Sequence, residues 1–398
     1  MQPFKKKIVY VTRDAERAQG VPESDDYKII SNDSSRRDSR PLSTAELLQL
    51  DSTRKIIGNS GAAVLVFKNN SQIEDICNKN GWELLNPSAA LAEKIENKIT
   101  QVEWLGDLAL KYLPAHKIAP TKDLHMSDMC KSSKMVVQWA HGHTGDGTVS
   151  IGSAEELRAV QEKFTERPAR AMTFVAGPSF TANVVAAKNK IMVGNVSYQI
   201  TGMAPFTDNP FSTVGNDWGA AHTILADNEI AQIETIAREI GERMRADGWR
   251  GLFGVDAIKD EQSGRIFLIE INARQPASAT FESQLQSLPR SDLSSTSKSD
   301  LSIFEAHLLA LLEQPIDQPL IKISDGGQII QRVTKDTVEV PANAISAMES
   351  AGYKTTVYSN VKINSDLLRI RSIHSFVESH GKLNKSGKEI AEIIKQRP

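Results

Sequence analysis

Apolar and polar positions alternate in blocks over the first ninety residues of the 398-residue chain. Short apolar runs, which predict buried strands, are separated by segments with helical spacing. One such segment begins at Ser43 with Glu46 in its first turn, which predicts a capped helix, and another ends at Gly81. Strands are predicted at 8–12, 27–30, 62–67 and 82–85, with further helices after Ser88 and over about 100–113. Strands that alternate with helices indicate a parallel α/β domain.

From Met135 the pattern becomes strand-rich, with Gly, Pro, Asn and Lys at the turns. The predicted strands are 135–140, 148–152, 172–177, 180–187 and 191–200, and helices are predicted at 228–248 and 303–312. An antiparallel sheet with packed helices, an α+β unit, accounts most simply for 115–315. The tail from about 318 contains strands and a basic C-terminal helix. The chain is therefore expected to be a multidomain α/β and α+β protein.

The segment 251–278 predicts two strands joined by a charged turn. Residues two apart in a strand point to the same face, so Glu270, Asn272 and Arg274 project together, and strand pairing brings Asp256 opposite them. Two carboxylates and an amide oxygen beside an arginine suit Mg²⁺, which takes oxygen ligands and bridges to substrate phosphates. A solvated surface hairpin is the alternative. It explains Glu270 and Asn272 poorly, because they lie in an apolar run where an unpaired charge is costly.

The Gly-rich sequence HGHTGDG, residues 141–147, joins two predicted strands. Glycine lets backbone N–H groups approach phosphate oxygens, and the side chains of His141, His143 and Thr144 add hydrogen-bond donors. A plain β-turn is the alternative. The two histidines have no third metal ligand nearby in the sequence, and the chain has neither a P-loop pattern nor a GxGxxG that leads from a strand into a helix.

The charge balance and cysteine content narrow the functional class. Lys and Arg number 47 against 49 Asp and Glu, so the formal net charge is −2. This balance gives no electrostatic support for nucleic acid or an anionic membrane as a partner. Cys77 and Cys130 form neither a metal-ligand pattern nor a disulfide framework, which favours a reducing cytosol. The apolar run at the N-terminus is too short for a signal peptide or a membrane span, so we expect a cytoplasmic protein.

With a parallel α/β N-terminal region, a Gly-rich turn between strands, and GVD followed by IEINAR, the chain resembles the ATP-grasp superfamily over residues 1–315. The resemblance is closest to the carbamoyl-phosphate-synthase-like and biotin-carboxylase-like branch. It implies a Rossmann-like pre-ATP-grasp domain at 1–97, an ATP-grasp domain at 98–315, and a C-terminal region of uncertain role at 316–398. That last region is expected to cap the core, mediate a homodimer or contact substrate.

The resemblance also implies the metal and its ligands. Asp256, Glu270 and Asn272 would bind two Mg²⁺ ions, with Mn²⁺ as the alternative metal. Arg274 would act as the catalytic residue that stabilises the transferred phosphoryl group or an acyl phosphate.

The implied ATP site combines phosphate and adenine contacts. Lys98 would contact the phosphates, with an exposed lysine at a helix end as the alternative, and the backbone near Thr173 would hydrogen-bond adenine. The complete ATP-binding set is Lys98, Gln138, His141, Gly142, His143, Thr144, Gly145, Gly147, Thr173, Phe174 and Val175.

Gln138 departs from the family pattern, which usually has a lysine at the end of the strand before the glycine loop. Glutamine donates a hydrogen bond but carries no charge for the phosphates. His141 or His143 is a candidate to compensate. The segment before the adenine-binding strand also lacks an acidic residue that is often found there. A degenerate nucleotide-binding or regulatory protein is therefore one alternative.

The resemblance implies an ATP-dependent ligase that forms a carbon–nitrogen bond. A carboxylate would attack the γ-phosphate to give an acyl phosphate and ADP, and an amine or thiol would then displace phosphate. The segments 199–222 and 286–302 are candidates for substrate contact; a structural insertion and a plain flexible connector are the respective alternatives. Carboxyphosphate chemistry, as in biotin-dependent carboxylases, is a second option. The chain has no Ala-Met-Lys-Met-type biotin attachment sequence.

Overall fold

The computed structural model describes residues 4–32, 41–128, 134–140, 147–289 and 300–395. The N-terminal part contains a parallel three-stranded sheet of order β2–β1–β3. Its elements are β1 (Ile8–Thr12), β2 (Tyr27–Ser31), α1 (Thr44–Gln49), α2 (Asp51–Ser60), β3 (Ala63–Val66) and α3 (Ser71–Asn80). All residues of β1 and β3 are buried, as expected for a parallel sheet covered on both faces.

Local sequence signals set the ends of these elements. The hydroxyl of Ser43 accepts a hydrogen bond from the Glu46 backbone N–H, and the Glu46 side chain accepts one in return, so α1 begins with the predicted capping box. Helix α3 ends at Asn80 and is capped by Gly81, whose φ of 67° lies in the left-handed region that glycine tolerates best. The strand predicted at 82–85 is wrong, because only Leu84 forms a single bridge to β3.

Three short helices lead into the next part of the chain: α4 (Ala89–Glu96), α5 (Thr100–Leu105) and α6 (Asp107–Tyr112). The single helix predicted over 100–113 is divided at Gly106, which has a φ of 54°. Helix α4 ends at Glu96, so Lys98 lies in the connection between α4 and α5 and not on a helix.

A four-stranded antiparallel sheet follows, in the order β4–β7–β5–β6. It contains β4 (His116–Pro120), β5 (Met135–Trp139), β6 (Thr148–Ile151), α7 (Ala154–Phe164) and β7 (Pro168–Thr173). The strand predicted at 172–177 therefore lies earlier in the chain and ends at Thr173. Neither β4 nor α7 was predicted.

The next elements include the first strands of a large antiparallel sheet. They are β8 (Ser179–Ala186), β9 (Ile191–Val193), β10 (Ser197–Thr201), β11 (Thr213–Asp217), α8 (Trp218–Ile224), α9 (Asp227–Ala246), β12 (Gly251–Lys259) and β13 (Ile266–Asn272). The strand predicted at 191–200 is divided into β9 and β10. The hairpin predicted at 251–278 is confirmed, because β12 and β13 pair in antiparallel register.

The C-terminal part adds three strands to the same sheet, and its last two strands pair with each other in a separate two-stranded sheet. Its elements are α10 (Ala279–Gln286), α11 (Ile303–Leu311), β14 (Gly327–Arg332), α12 (Ala342–Ser350), β15 (Lys354–Val357), β16 (Asp366–Ser372), β17 (Val377–Ser379), β18 (Lys382–Leu383) and α13 (Lys385–Lys395). The order is β13–β12–β8–β10–β11–β14–β16–β15, with β9 paired to β8. Strands from beyond residue 315 thus extend the sheet that holds the hairpin, while the domain boundaries at 97 and 315 stay predictions.

The N-terminal sheet packs against α11 through aromatic side chains. The ring centroids of Tyr10 and Tyr27 each lie 6.4 Å from that of Phe304. Gly20 allows this close approach, because a Cβ there would lie 2.2 Å from the Phe304 ring. Cys77 is buried, and Cys130 lies outside the described residues. None of the helices within the described ranges is long and apolar enough to cross a membrane.

Candidate active site

A cavity of about 340 Å³ lies between the four-stranded sheet and the large sheet. Ten of the residues predicted for the site line it: Lys98, Gln138, Gly147, Thr173, Phe174, Val175, Asp256, Glu270, Asn272 and Arg274. The other five, His141, Gly142, His143, Thr144 and Gly145, lie outside the described residues. The fold therefore brings together residues that are far apart in the sequence.

The hairpin of β12 and β13 forms the wall of this cavity that carries the predicted metal ligands, and we call it the metal-facing wall after that prediction. Asp256 pairs directly with Glu270, so the two carboxylates share a face of the sheet. The Asp256 carboxylate accepts hydrogen bonds from Thr181 Oγ1, at 2.7 Å, and from Asn272 Nδ2, at 2.9 Å. A register shift follows Asp256. The hydrogen bonds hold the Asp256 carboxylate beside the Asn272 amide.

Lys98 completes this wall from outside the hairpin. It is only 5% exposed, so the alternative of an exposed helix-terminal lysine is wrong, and its ammonium forms an ion pair with Glu270. Burial alone would raise the pKa of Glu270, but the charge and hydrogen bond of Lys98 outweigh burial and hold that pKa below its usual value. Burial and the neighbouring Glu270 raise the pKa of Asp256 to about 6. Glu270 is therefore the more firmly ionised of the two acids.

The donor set on this wall suits a hard divalent cation. Asp256 and Glu270 offer carboxylate oxygens and Asn272 offers an amide oxygen, which are ligand types that Mg²⁺ prefers. Within the described ranges, no group of three or more His, Cys, Asp or Glu side chains is placed to hold a metal. The hairpin set has only two such residues, so the amide is needed to supply a third oxygen.

Arg274 is anchored at the mouth of the same wall. Its Nη1 donates to Glu96 Oε1, at 2.5 Å, and to Asn272 Oδ1, at 2.8 Å. Glu96 also pairs with Lys68, at 2.7 Å. Burial would raise the pKa of Glu96, but the charges of Arg274 and Lys68 lower it. This ionised carboxylate fixes the position of the guanidinium at the cavity.

Gln138 lies at the end of β5, on the wall of the cavity that the four-stranded sheet forms, and we call this the phosphate-facing wall after the role predicted for Gln138. Its Oε1 accepts two hydrogen bonds from Arg170, from Nε at 3.2 Å and from Nη2 at 2.7 Å. Its Nε2 donates to Thr148 Oγ1 at 3.3 Å. Gly147, with a φ of 79°, closes the connection to β6 and accepts a hydrogen bond from the Trp139 backbone N–H.

Arg170 is the residue of this wall that sequence reasoning missed. It is fully buried and also donates to Gln101 Oε1, at 3.0 Å, and to the Ile269 carbonyl, at 3.2 Å. Burial lowers its pKa to about 10, and Glu270 opposes this effect, so the guanidinium stays charged at neutral pH. The available signal in the sequence was an arginine within the strand-like run PARAMT. Its place opposite Gln138 follows from the pairing of β5 with β7.

The segment predicted to bind adenine leaves the small sheet at the end of β7. The backbone N–H of Thr173 donates to the Ala115 carbonyl at 2.9 Å, and that of Phe174 donates to the Lys134 carbonyl at 3.2 Å. These two amides are therefore already engaged in holding the connection. Val175 follows them at the cavity wall and is half-buried.

The far end of the cavity is lined by polar side chains of the large sheet. Gln199, Thr213 and Gln328 lie here, together with Arg332 from β14. The segment predicted for substrate contact, 199–222, thus supplies part of the lining, and β11 within it was not foreseen. Of the other predicted segment, 286–302, residues 290–299 lie outside the described residues.

Arg332 belongs to a buried cluster of charges that joins the N- and C-terminal parts. Four arginines face two carboxylates in it: Arg17, Arg332, Arg369 and Arg371, with Glu16 and Asp366. Burial opposes ionisation, but the arginines outweigh it and lower the pKa of both carboxyl groups to about 2. Among the described residues, Arg332 Nε has no hydrogen-bond partner. The cluster carries more positive than negative charge at one end of the cavity.

Comparison with known proteins supports the fold predicted from the sequence. The ATP-grasp domain family matches residues 95–278. The solved carboxyaminoimidazole ribonucleotide synthase from Aspergillus clavatus, complexed with ATP, has a TM-score of 0.67 at 14% identity. The match covers 98% of this chain and 99% of that chain. No curated protein matches the chain in sequence.

Two further solved structures share the fold over nearly their full lengths. The N5-carboxyaminoimidazole synthetase from Staphylococcus aureus, complexed with ADP, gives a TM-score of 0.66 at 12% identity, covering 98% of this chain and 97% of that one. The L-amino acid ligase from Bacillus licheniformis gives 0.61 at 13% identity, covering 98% of both chains. At these identities the similarity shows the fold alone, and it confirms the predicted ATP-grasp fold.

Proposed function

We propose that this chain, whose residues 95–278 match the ATP-grasp domain family, is an ATP-dependent ligase joining a carboxylate to an amine. One observation carries the proposal. Asp256 lies opposite Glu270 on one wall of the cavity, with Asn272 and Lys98 bonded to them. Oxygen ligands and a buried ammonium that meet in a single cavity suit a metal-bound polyphosphate better than an uncharged ligand.

In this proposal, different residues of the cavity contact the metal and the phosphates of the nucleotide. Asp256, Glu270 and Asn272 would hold Mg²⁺, which supplies charge neutralisation at the phosphates when bound. Lys98 and Gln138 would donate hydrogen bonds to phosphate oxygens, because both line the same cavity as these ligands. The proposal extends to residues 141–147, whose backbone would cover the phosphates.

The adenine would lie against the connection that follows β7. Met172, Phe174 and Ile258 supply apolar surface there. The amides of Thr173 and Phe174 are engaged, so the Val175 backbone N–H is the donor that we assign to the adenine ring. This assignment narrows the three-residue prediction to one amide.

In the proposed reaction, a carboxylate oxygen of the substrate attacks the γ-phosphorus as the bond to the β–γ bridging oxygen breaks. ADP leaves and an acyl phosphate forms. Arg274, fixed by Glu96, stabilises negative charge on the phosphoryl group in transit. The amine nitrogen then attacks the acyl carbon, phosphate leaves, and the amine proton passes to solvent. Catalysis consists of positioning and charge stabilisation, with no covalent intermediate on the protein.

The carboxylate substrate is assigned to the end of the cavity lined by Arg332, Gln199 and Thr213. Arg332 is held there by Asp366 and donates from Nη2 to the Thr213 carbonyl at 2.8 Å. The excess of arginine in the cluster favours an anionic ligand. Arg332→Met is expected to raise the KM for the carboxylate by about 10- to 100-fold while leaving ADP affinity unchanged.

The direct test is ATP turnover by the full-length protein with Mg²⁺ and a panel of carboxylates, with hydroxylamine as a trapping nucleophile. An acyl phosphate would give ADP, phosphate and the corresponding hydroxamate. Formation of AMP and pyrophosphate would contradict the mechanism. Bicarbonate in the panel, with and without free biotin, tests the carboxyphosphate alternative, and ADP binding without turnover for any substrate would favour the regulatory one.

Cellular location and assembly belong to the proposal as well. We propose a cytosolic enzyme, supported by the low cysteine content and by substrates that are small polar molecules. A homodimer stays an open prediction, which sedimentation of the purified chain would test.

A further inference from the structure

Gln138 and Arg170 are cross-strand partners in the small sheet. They face each other in the register of β5 and β7, and the Gln138 side-chain oxygen accepts both of the Arg170 hydrogen bonds to this residue. The lysine expected from the family resemblance is missing at position 138. A buried cation instead lies directly behind it, on the neighbouring strand.

Arg170 fixes which way the Gln138 amide points. With Oε1 engaged by the guanidinium, the donor Nε2 is turned toward Thr148 and the cavity. The opposite rotamer of the amide would place its N–H groups against the N–H groups of Arg170, which is unfavourable. Gln138 is therefore a fixed hydrogen-bond donor at the phosphate-facing wall.

The charge of Arg170 is not neutralised by a direct ion pair. Across the described ranges, Arg170 forms no ion pair with a carboxylate; its partners are the amides of Gln138 and Gln101 and the Ile269 carbonyl. Glu270, the nearest acid on the metal-facing wall, is paired with Lys98. A buried charge interacts strongly across the low-dielectric interior, so the wall is positive although its surface residue is neutral.

We propose that Arg170 is a positioning residue that compensates for the lysine missing at position 138. It holds the Gln138 amide with its N–H groups toward the polyphosphate, and its buried positive charge, which lies behind that amide, attracts the phosphates. The proposal rests on the proposed nucleotide site and adds a determinant of its phosphate affinity. Arg170 does not line the cavity, so it acts without touching the nucleotide.

The first test keeps the packing and changes only the chemistry. Gln138→Glu has the same shape and still accepts both hydrogen bonds from Arg170, but it neutralises the guanidinium and turns an acceptor toward the phosphates. ADP affinity measured by calorimetry with Mg²⁺ is expected to fall at least tenfold, while adenosine affinity stays within twofold. Unchanged ADP affinity would overturn the proposal.

The second test moves the charge back to the expected position. Arg170→Gln is expected to weaken ADP binding at least tenfold, and adding Gln138→Lys to that variant is expected to restore most of it. Arg158→Gln, which removes an exposed arginine from α7 of the same lobe, is the matched control and should bind ADP within twofold of wild type. A double variant no better than Arg170→Gln would overturn the assigned role.

The outcomes separate this proposal from the proposed function. Wild-type protein that binds neither ADP nor adenosine overturns the nucleotide site, and the Arg170 role with it. Wild type that binds both, with equal losses of ADP and adenosine affinity in the variants, overturns only the Arg170 role, because a purely structural residue affects both ligands. If Arg170→Gln does not fold, the comparison of Gln138→Glu with wild type decides the matter.

Discussion

The two walls of the cavity carry their charge in opposite ways. On the metal-facing wall, Asp256 and Asn272 lie 16 residues apart in one hairpin, and their polar atoms reach the cavity surface. On the phosphate-facing wall the neutral Gln138 is at the surface. The charge lies behind it on Arg170, which is 32 residues away in sequence and is also bonded to a residue 99 positions away. One wall presents its charge directly, and the other transmits it through a hydrogen bond.

Glu270→Gln, a substitution on the metal-facing wall, is expected to have the largest effect on activity. Removing the ionised ligand is expected to lower ATP turnover about a thousandfold, since charge neutralisation at the transferred phosphoryl group is lost. A coupled assay for ADP measures the effect. Cooperative thermal unfolding of the variant is the control, and turnover at the wild-type rate would remove Glu270 from the metal site.

Lys98→Met tests whether Lys98, which would contact the phosphates directly, and Arg170, which would act through Gln138, contribute independently to ADP affinity. Loss of a charge-assisted hydrogen bond to a phosphate is expected to weaken ADP binding by about 10- to 100-fold. Lys98 and Arg170 both interact electrostatically with Glu270, and Arg170 also lowers the pKa of Lys98, so the losses from Lys98→Met and Gln138→Glu should not be additive. Strict additivity in a double-mutant cycle, measured by ADP calorimetry, would show that they do not act on the same phosphates.

The buried arginine cluster allows the effect of buried charges on the free energy of unfolding to be tested. The pKa of Glu16 is lowered to about 2 in the folded chain, so its ionised carboxylate stabilises the fold. This stabilisation is fully present above the pKa that Glu16 has in the unfolded chain, and it is lost as the pH falls toward 2. We expect the free energy of unfolding, measured in urea, to fall between pH 7 and pH 3 in both proteins. The fall should be about 2 kcal/mol smaller in Glu16→Gln than in wild type. The same pH dependence in both proteins would contradict this account.

The smallest expected effect concerns the adenine contact, which uses no charge at all. Val175→Pro removes one backbone N–H, and a single neutral hydrogen bond corresponds to about a fivefold loss of ADP affinity. Val175→Ala keeps the amide and is the matched control. Equal affinities for the two variants would place the adenine donor elsewhere.

The metal-facing wall could be predicted because the residues that form it lie close together in the sequence. Asp256, Glu270 and Asn272 lie on consecutive strands, and an apolar run with embedded acids is visible in the sequence. Apolar runs likewise predicted β1, β3, β5 and β8. The polar strand β11 and the charged strand β16 gave no such signal, since Asn216 and Arg369 are buried by pairing with other strands and not by their own hydrophobicity.

The phosphate-facing wall could not be predicted in full, because its charge depends on register. Nothing near Gln138 in the sequence indicates that Arg170 will lie opposite it; this follows only from the pairing of β5 with β7. The arginine cluster is hidden for the same reason, with Glu16 from the N-terminal part and Arg371 from β16 meeting in the folded chain. The absence of a lysine at position 138 is visible in the sequence, but the buried arginine beside Gln138 becomes visible only in the folded chain.

The strand order of the large sheet has a practical consequence for making fragments. β11 lies next to β14, so the ATP-grasp segment 95–278 ends before the strand that satisfies one edge of its own sheet. Expressed alone, that segment would expose unpaired backbone groups along β11 and invite edge-to-edge aggregation. The smallest piece that folds and remains monodisperse should therefore extend at least through β16, at Ser372.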